Sequence, residues 1–243
     1  MAKNLTVSLV VSYGGKGGPR SGHIREGRRG VANPHFTFQE NETPPLRLNS
    51  DLGLRFPPEF LATVPTNGEK LTYLRQEIAG ALDQFSTYQH KFLDRYFTFI
   101  AESCDTTAET LDTSLSWSGG LFSANDFVFS ALWPLPDCIV SRSAEAESEP
   151  VGNFDFAFWT GHQLIAVTLA GTPNHPDNTK DGQMMTSGFL HRVTISYADL
   201  NGTNDLFTEQ QFPPEFVQFG RFENVPSSPF RPDGLSSTLE GGI

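Results

Sequence analysis

Residues Gly152–Ala170 read GNFDFAFWTGHQLIAVTLA. Phe154-Asp155-Phe156-Ala157-Phe158-Trp159 alternates with the two-residue period of a strand and runs into the turn residues Thr160-Gly161-His162. Leu164-Ile165-Ala166-Val167 then opens a second apolar strand, closed by Gly171. The stretch is predicted to be a β-hairpin. Asp155 is the acid inside its first strand and is expected to lie across the hairpin from Thr168–Ala170. A strand Asp beside a turn can accept backbone N–H groups and shape the hairpin, or it can act as a ligand. Trp159 reads as a packing residue that covers the sheet edge or anchors an interface, and His162 as an exposed turn residue.

The hairpin resembles the second and third core strands of the PD-(D/E)xK nuclease superfamily, especially its very-short-patch-repair-like branch. In that family an Asp on the first strand faces an acid plus a Lys or second Asp on the next. The corresponding residues here are Thr168 and Ala170. The likeness covers roughly residues 120–220, about two fifths of the chain, and rests on order and spacing as well as one short string. Phe127–Trp133, followed by Pro134-Leu135-Pro136, reads as the preceding strand. Gly171-Thr172-Pro173-Asn174-His175 is similar to the family's turn leaving the third strand, and Asn178–Phe189, with Asp181, falls where the family has a short helix. His191–Tyr197 reads as the last core strand and Ala198-Asp199-Leu200 as its exit. The resemblance implies an α/β, restriction-endonuclease-like mixed sheet flanked by helices.

Activity does not follow from that fold. Phosphodiester cleavage of this kind uses a divalent metal held by hard oxygen ligands. Thr168 offers a neutral hydroxyl and Ala170 a backbone carbonyl, and no Lys occurs between Lys91 and Lys180. Pro136-Asp137 does not restore the motif, because no acid-x-Lys follows it at a useful spacing. Met184-Met185 stands where the family's helix carries a basic residue. Asp155 and His175 are therefore read as remnant, inactive site positions, and His175 serves equally as a turn residue. The implied cofactor is none, with Mg2+ entering only if an acid from a helix, Glu77, Asp94 or Glu102, restores a metal site.

The 243 residues carry a formal charge of −11, with 37% hydrophobic and 19% charged residues. Residues 1–30 hold Lys3, Lys16, Arg20, Arg25, Arg28 and Arg29 against Glu26, a sum of +5, which leaves −16 for residues 31–243. An acidic body is a poor general surface for a polyanion. The basic residues gather in a Gly/Arg-rich arm at 14–30 that could wrap a phosphate backbone, dock on an acidic protein face or remain a solvated loop. No apolar run approaches bilayer length, the alternating start Met1–Val11 reads as a strand, and two cysteines do not make a disulfide framework. A cytoplasmic protein without a membrane span is expected.

Residues 1–66 are read as an N-terminal strand, the arm and an extended segment, 67–223 as the α/β core, and 224–243 as a Pro/Ser/Gly-rich tail. Leu71, Leu74, Ile78, Leu82 and Phe85 recur at helical spacing after Asn67, a candidate N-cap. Ser86-x-x-Gln89 resembles a capping box opening a second helix, near 86–103, with Phe92, Tyr96, Phe97 and Ile100 on one buried face. Residues 141–153 read as an acidic low-complexity connection between strands. The string Phe-Pro-Pro-Glu-Phe occurs at Phe56–Phe60 and at Phe212–Phe216, as an aromatic clamp or by coincidence.

These features are expected to describe a pseudoenzyme of nuclease fold acting as an accessory subunit through protein–protein interaction, with a divergent nuclease or a nucleic-acid-binding protein as alternatives. Arg20, Arg25, Arg28, Arg29 and Phe230 are the expected partner-binding residues. Deleting residues 14–30 should leave the melting temperature nearly unchanged and weaken partner association, and added salt should reproduce part of that loss. Unfolding on deletion, or unchanged association, would remove the arm from this role.

Overall fold

The computed structural model describes residues 8–12, 35–39, 43–48, 56–82, 86–114, 128–141, 150–169 and 189–221. In chain order the elements are β1 (Ser8–Ser12), β2 (His35–Gln39), α1 (Pro58–Leu61), α2 (Asn67–Gly80), α3 (Thr87–Ser114), β3 (Leu135–Ser141), β4 (Pro150–Trp159), β5 (Leu164–Leu169), β6 (Leu190–Ile195), α4 (Tyr197–Asn201) and α5 (Pro214–Arg221). The strands form one mixed α/β sheet in the order β2-β1-β3-β4-β5-β6. Every neighbouring pair is antiparallel except β5 and β6, which are parallel.

The hairpin forms where it is predicted, with the alternation holding from Phe156 to Trp159. Trp159 pairs with Leu164 and Phe156 with Val167, and the Thr160 hydroxyl accepts from the Gln163 N–H at 3.1 Å to close the turn. Gly161 has φ +102°, and a Cβ there would meet Pro45 at 3.1 Å, so both backbone and space call for glycine. The preceding strand is displaced from its expected place. Val128–Ser130 forms a short 3₁₀ turn, and the strand runs instead over Leu135–Ser141, straight through Pro136. The proline is tolerated because β1 pairs only with Ile139–Ser141, which leaves its half of β3 at a sheet edge.

The cap of α2 lies one residue earlier than expected. Thr66, not Asn67, caps it: the Glu69 carboxylate accepts from the Thr66 N–H at 2.7 Å, and the Thr66 hydroxyl accepts from the Glu69 N–H at 3.3 Å. α3 runs 28 residues, well past the expected end near 103. Its Phe92, Tyr96, Phe97 and Ile100 are buried as their spacing requires. Phe92 packs on Phe156 at 4.7 Å and Tyr96 on Phe158 at 5.1 Å, while α5 adds Phe216, 5.0 Å from Phe158. On the other sheet face Trp159, fully buried, stacks on Phe38 at 4.8 Å and donates its indole N–H to the Thr43 carbonyl at 3.0 Å. Trp159 is thus a core residue and not an interface anchor. His162 is exposed, as read. β6 ends at Ile195, so Tyr197 opens α4 instead of finishing the strand.

The arm at 14–30, with Arg20, Arg25, Arg28 and Arg29, lies outside the described residues. So do Ala170, His175, Asp181, Met184-Met185 and the tail with Phe230. Among the described residues no helix is long and apolar enough to cross a membrane.

The contact between α5 and α3 is close enough to exclude a methyl group. A Cβ on Gly220 would overlap Phe99 Cε1, and the Phe99 ring is backed by Phe207 at 4.9 Å. Gly220→Ala should therefore destabilise the protein by about 1–3 kcal/mol. Gly80→Ala, which meets nothing within 4 Å, should stabilise it by about 0.5 kcal/mol through lost unfolded-state entropy. Urea titration of both variants checks the pair, and a Gly220→Ala protein as stable as the parent would refute the packing assignment.

Candidate functional site

The strand period breaks at Asp155. Register places Arg192 beside Ala166 and Ala157, on the face opposite Phe156, yet the Arg192 guanidinium lies over the Phe154 ring at 5.5 Å. Phe154 and Phe156 thus fall on opposite faces. The residue facing Asp155 across β3 and β4 is Asp137, which falls between the pairs Pro136–Phe156 and Cys138–Phe154 and has φ +46°. Asp is among the few side chains that tolerate this left-handed backbone. The two irregularities together turn both carboxylates toward the N-terminal end of α3.

There they meet Gln89. Asp155 is 1% exposed; its Oδ2 accepts from the Leu169 N–H at 2.7 Å and its Oδ1 from Gln89 Nε2 at 2.8 Å. The same Nε2 donates to Asp137 Oδ1 at 2.7 Å. A carboxylate only accepts, so the nitrogen end of the amide must face the two acids, and its two hydrogens serve one each. The Leu169 contact replaces a ladder bond where β4 and β5 cease to pair beyond Phe156–Val167. Asp155 thereby acts as a backbone partner within the hairpin.

The surroundings are not nucleophilic. Burial, followed by the charge of Asp137, pushes the Cys138 thiol well above its usual value, and its Sγ lies 3.0 Å from the Leu135 carbonyl. Tyr88 and Tyr197 stack face to face, 3.5 Å apart and 7° from parallel. Desolvation, then the nearby Tyr88 and Asp155, raises the Tyr197 hydroxyl. Thr168, half-buried, follows Val167 next to this cluster.

The helical acids weighed from the sequence go elsewhere. Asp94 is exposed and pairs with Arg75, Glu77 lies beside Tyr73, and Glu102 lines a cavity of about 570 Å³ between α3 and the 203–207 segment. The side chain that α3 does bring to Asp155 is Gln89, which reads from sequence as half of a capping box. In sequence Asp137 makes no motif because no acid-x-Lys follows it, whereas it meets Asp155 across the strands through the Gln89 amide. The signal that could have found both is register: once β3 and β4 are paired, the two acids face each other.

A hard divalent cation takes about six oxygen donors. Here an N–H2 group stands between the two carboxylates, and no group of three or more metal-ligating side chains occurs among the described residues. As arranged, this donor set does not fit such an ion.

Removing the Asp155 carboxylate should leave two buried donors, Leu169 N–H and Gln89 Nε2, without that acceptor. Asp155→Ala is expected to cost about 3 kcal/mol, or roughly 6–12 °C in melting temperature. Asp155→Asn, which keeps one acceptor and places an N–H2 against a donor, should cost less than Ala but still destabilise. Calorimetry decides it: an Asp155→Ala protein as stable as the parent would reject the structural role.

No protein-family model, no curated protein and no solved structure matches the chain.

Proposed function

We propose that this chain is a non-catalytic protein of PD-(D/E)xK nuclease fold that serves as a structural or accessory subunit of a larger assembly. The observation that carries this reading is the hydrogen bonding of Asp155. Its oxygens are committed to a strand N–H and to a neutral glutamine amide, and Thr168 stands where the family places an acid. The element order supports it too. A helix, three antiparallel strands and a fourth strand parallel to the third follow one another as α3, β3, β4, β5 and β6. The acidic body of residues 31–243 disfavours a phosphate backbone as the principal partner. Both cysteines are buried as thiols and are not joined in a disulfide, in keeping with a reducing compartment, and the cytoplasm is part of the same proposal.

One observation favours a second reading, a divergent metal-dependent nuclease: Asp137 and Asp155 lie on one amide nitrogen and so within reach of each other. A rearrangement that withdrew Gln89 would release one oxygen of each carboxylate from its amide.

The same assay separates the two. Purified protein incubated with single-stranded DNA, double-stranded DNA and RNA, in magnesium or manganese, is expected to cut none of them. Metal-dependent cleavage that a folded Asp137→Asn variant loses would overturn the non-catalytic reading. Native mass spectrometry of the untagged protein from its own cells should show a stoichiometric protein partner, and bound oligonucleotide in its place would favour nucleic-acid binding.

A further inference from the structure

The duplicated string Phe-Pro-Pro-Glu-Phe builds the same local unit twice. In the first copy Pro57 is the N-cap and Pro58 the first residue of α1; in the second, Pro214 is the first residue of α5. Proline suits that position because its fixed φ is helical and its missing N–H would have had no partner there. The flanking phenylalanines close over each helix start, Phe56 on Phe60 at 5.6 Å and 25°, Phe212 on Phe216 at 4.4 Å and 18°. The clamp is encoded in these five residues.

What covers the two copies differs. Phe212 and Phe216 are 2% and 1% exposed, and Phe216 packs against Tyr96 of α3 at 6.1 Å and Phe158 at 5.0 Å. Phe56 and Phe60 rest on Tyr73 of α2, at 5.5 and 5.0 Å, and both remain part-exposed. Beyond them Leu61 is 48% and Val64 85% exposed. Eight of the ten residues from Phe56 to Pro65 are apolar. Val64 has φ +52°, although it is β-branched and precedes a proline. A residue held this way is strained, and such strain gathers at recognition and switch positions. No burial of Val64 offsets it here.

The rim is acidic. Tyr73 is raised first by desolvation and then by the charge and hydrogen bond of Glu77 and the charge of Glu59, which places both carboxylates close to the clamp. Glu69 lies exposed in the first turn of α2. A second copy of this chain would bring a like-charged rim and a net −11 against it.

We propose that Phe56–Pro65 is a docking surface for the apolar face of an amphipathic helix with flanking Lys or Arg residues, carried by a partner protein. The chain supplies the template, since its second clamp is covered by the aromatic face of helix α3. This inference rests on the accessory-subunit reading and names where the partner sits.

The probe is a fluorescein-labelled synthetic helix of about 18 residues, with Leu and Phe at i, i+3, i+4 and i+7 and Lys/Arg flanks, measured by anisotropy on the full chain. A control peptide keeps the apolar face and exchanges the flanks for Glu. The basic peptide should bind saturably, the acidic one about tenfold more weakly or not at all. Leu61→Asp with Val64→Asp should weaken the basic peptide about tenfold without lowering the melting temperature, since both side chains are exposed. Unchanged affinity in that double variant, equal affinity for the two peptides, or no saturable binding would each overturn the proposal. Self-association that the double variant abolishes would also overturn it, by making a second copy the occupant. Leu61 and Val64 lie on a different element from Asp155, so nuclease activity alone would sink the accessory reading and leave the peptide result standing.

Discussion

A carboxylate buried between strands is expensive, by several kcal/mol when it lacks partners, and Asp155 is tolerable only because donors reach both of its oxygens. Those donors come from different parts of the chain. Leu169 is the last residue of β5 and Gln89 lies three residues into α3, while Asp137 approaches from β3 through the same amide. One polar cluster thus fixes the register of three strands and the position of the helix that covers them. Register matters because a slip of one residue would reverse every face of the sheet. The break in alternation at Asp155 is the means: it brings the acid to the helix side while leaving Phe154 on the other side under Arg192.

The remaining cohesion is mostly aromatic. α3 is about 42 Å long at the helical rise, and it meets the sheet through Phe92 and Tyr96, α5 through Phe99 and α4 through Arg95. Tyr96, fully buried, donates its hydroxyl to the Leu132 carbonyl at 2.6 Å. Arg95 donates to the Asp199, Leu200 and Gly202 carbonyls at 2.8, 3.2 and 3.1 Å, a cation at the C-terminal end of α4. The helix is therefore anchored at its start by Gln89 and a turn and a half later by Arg95, with aromatic packing between and beyond.

The hairpin was legible because its signals agree: a period of two, a glycine at positive φ and a second apolar run of strand length. The two helices were legible from the 3.6-residue recurrence of Leu71, Leu74 and Ile78 and of Phe92, Tyr96 and Ile100. β3 was misplaced because Phe127–Trp133 is the more apolar run and Pro134 and Pro136 argue against a strand. Neither signal reveals that the proline would sit where β3 has no second neighbour. Asn67 is a good cap by residue type, but so is Thr66 before it, and the Thr66–Glu69 box decides for Thr66. Gln89 and Asp137 were hidden for a different reason. Each has an adequate local explanation, one as a capping residue and the other as part of an incomplete motif, and their meeting at Asp155 is a tertiary fact with no local period. Asp155 itself could be singled out, but its role could not, because hydrogen bonding and metal ligation ask for the same residue.

What separates those roles is the character of the neighbours. An acid at the position of Gln89 would add a third negative charge beside Asp137 and Asp155, and the cluster would then need a cation to hold it together. Glutamine supplies instead two hydrogens for two facing oxygens, 2.7 and 2.8 Å away. The cluster is thereby bridged by the protein's own amide. In the nuclease-fold reading proposed above, losing the acid at Thr168 and the lysine near Ala170 would remove chemistry, whereas Gln89 does something more: it gives the remaining acids a structural task. Because that task fixes strand register, stability alone accounts for an acid at Asp155, and its presence carries no implication of catalysis.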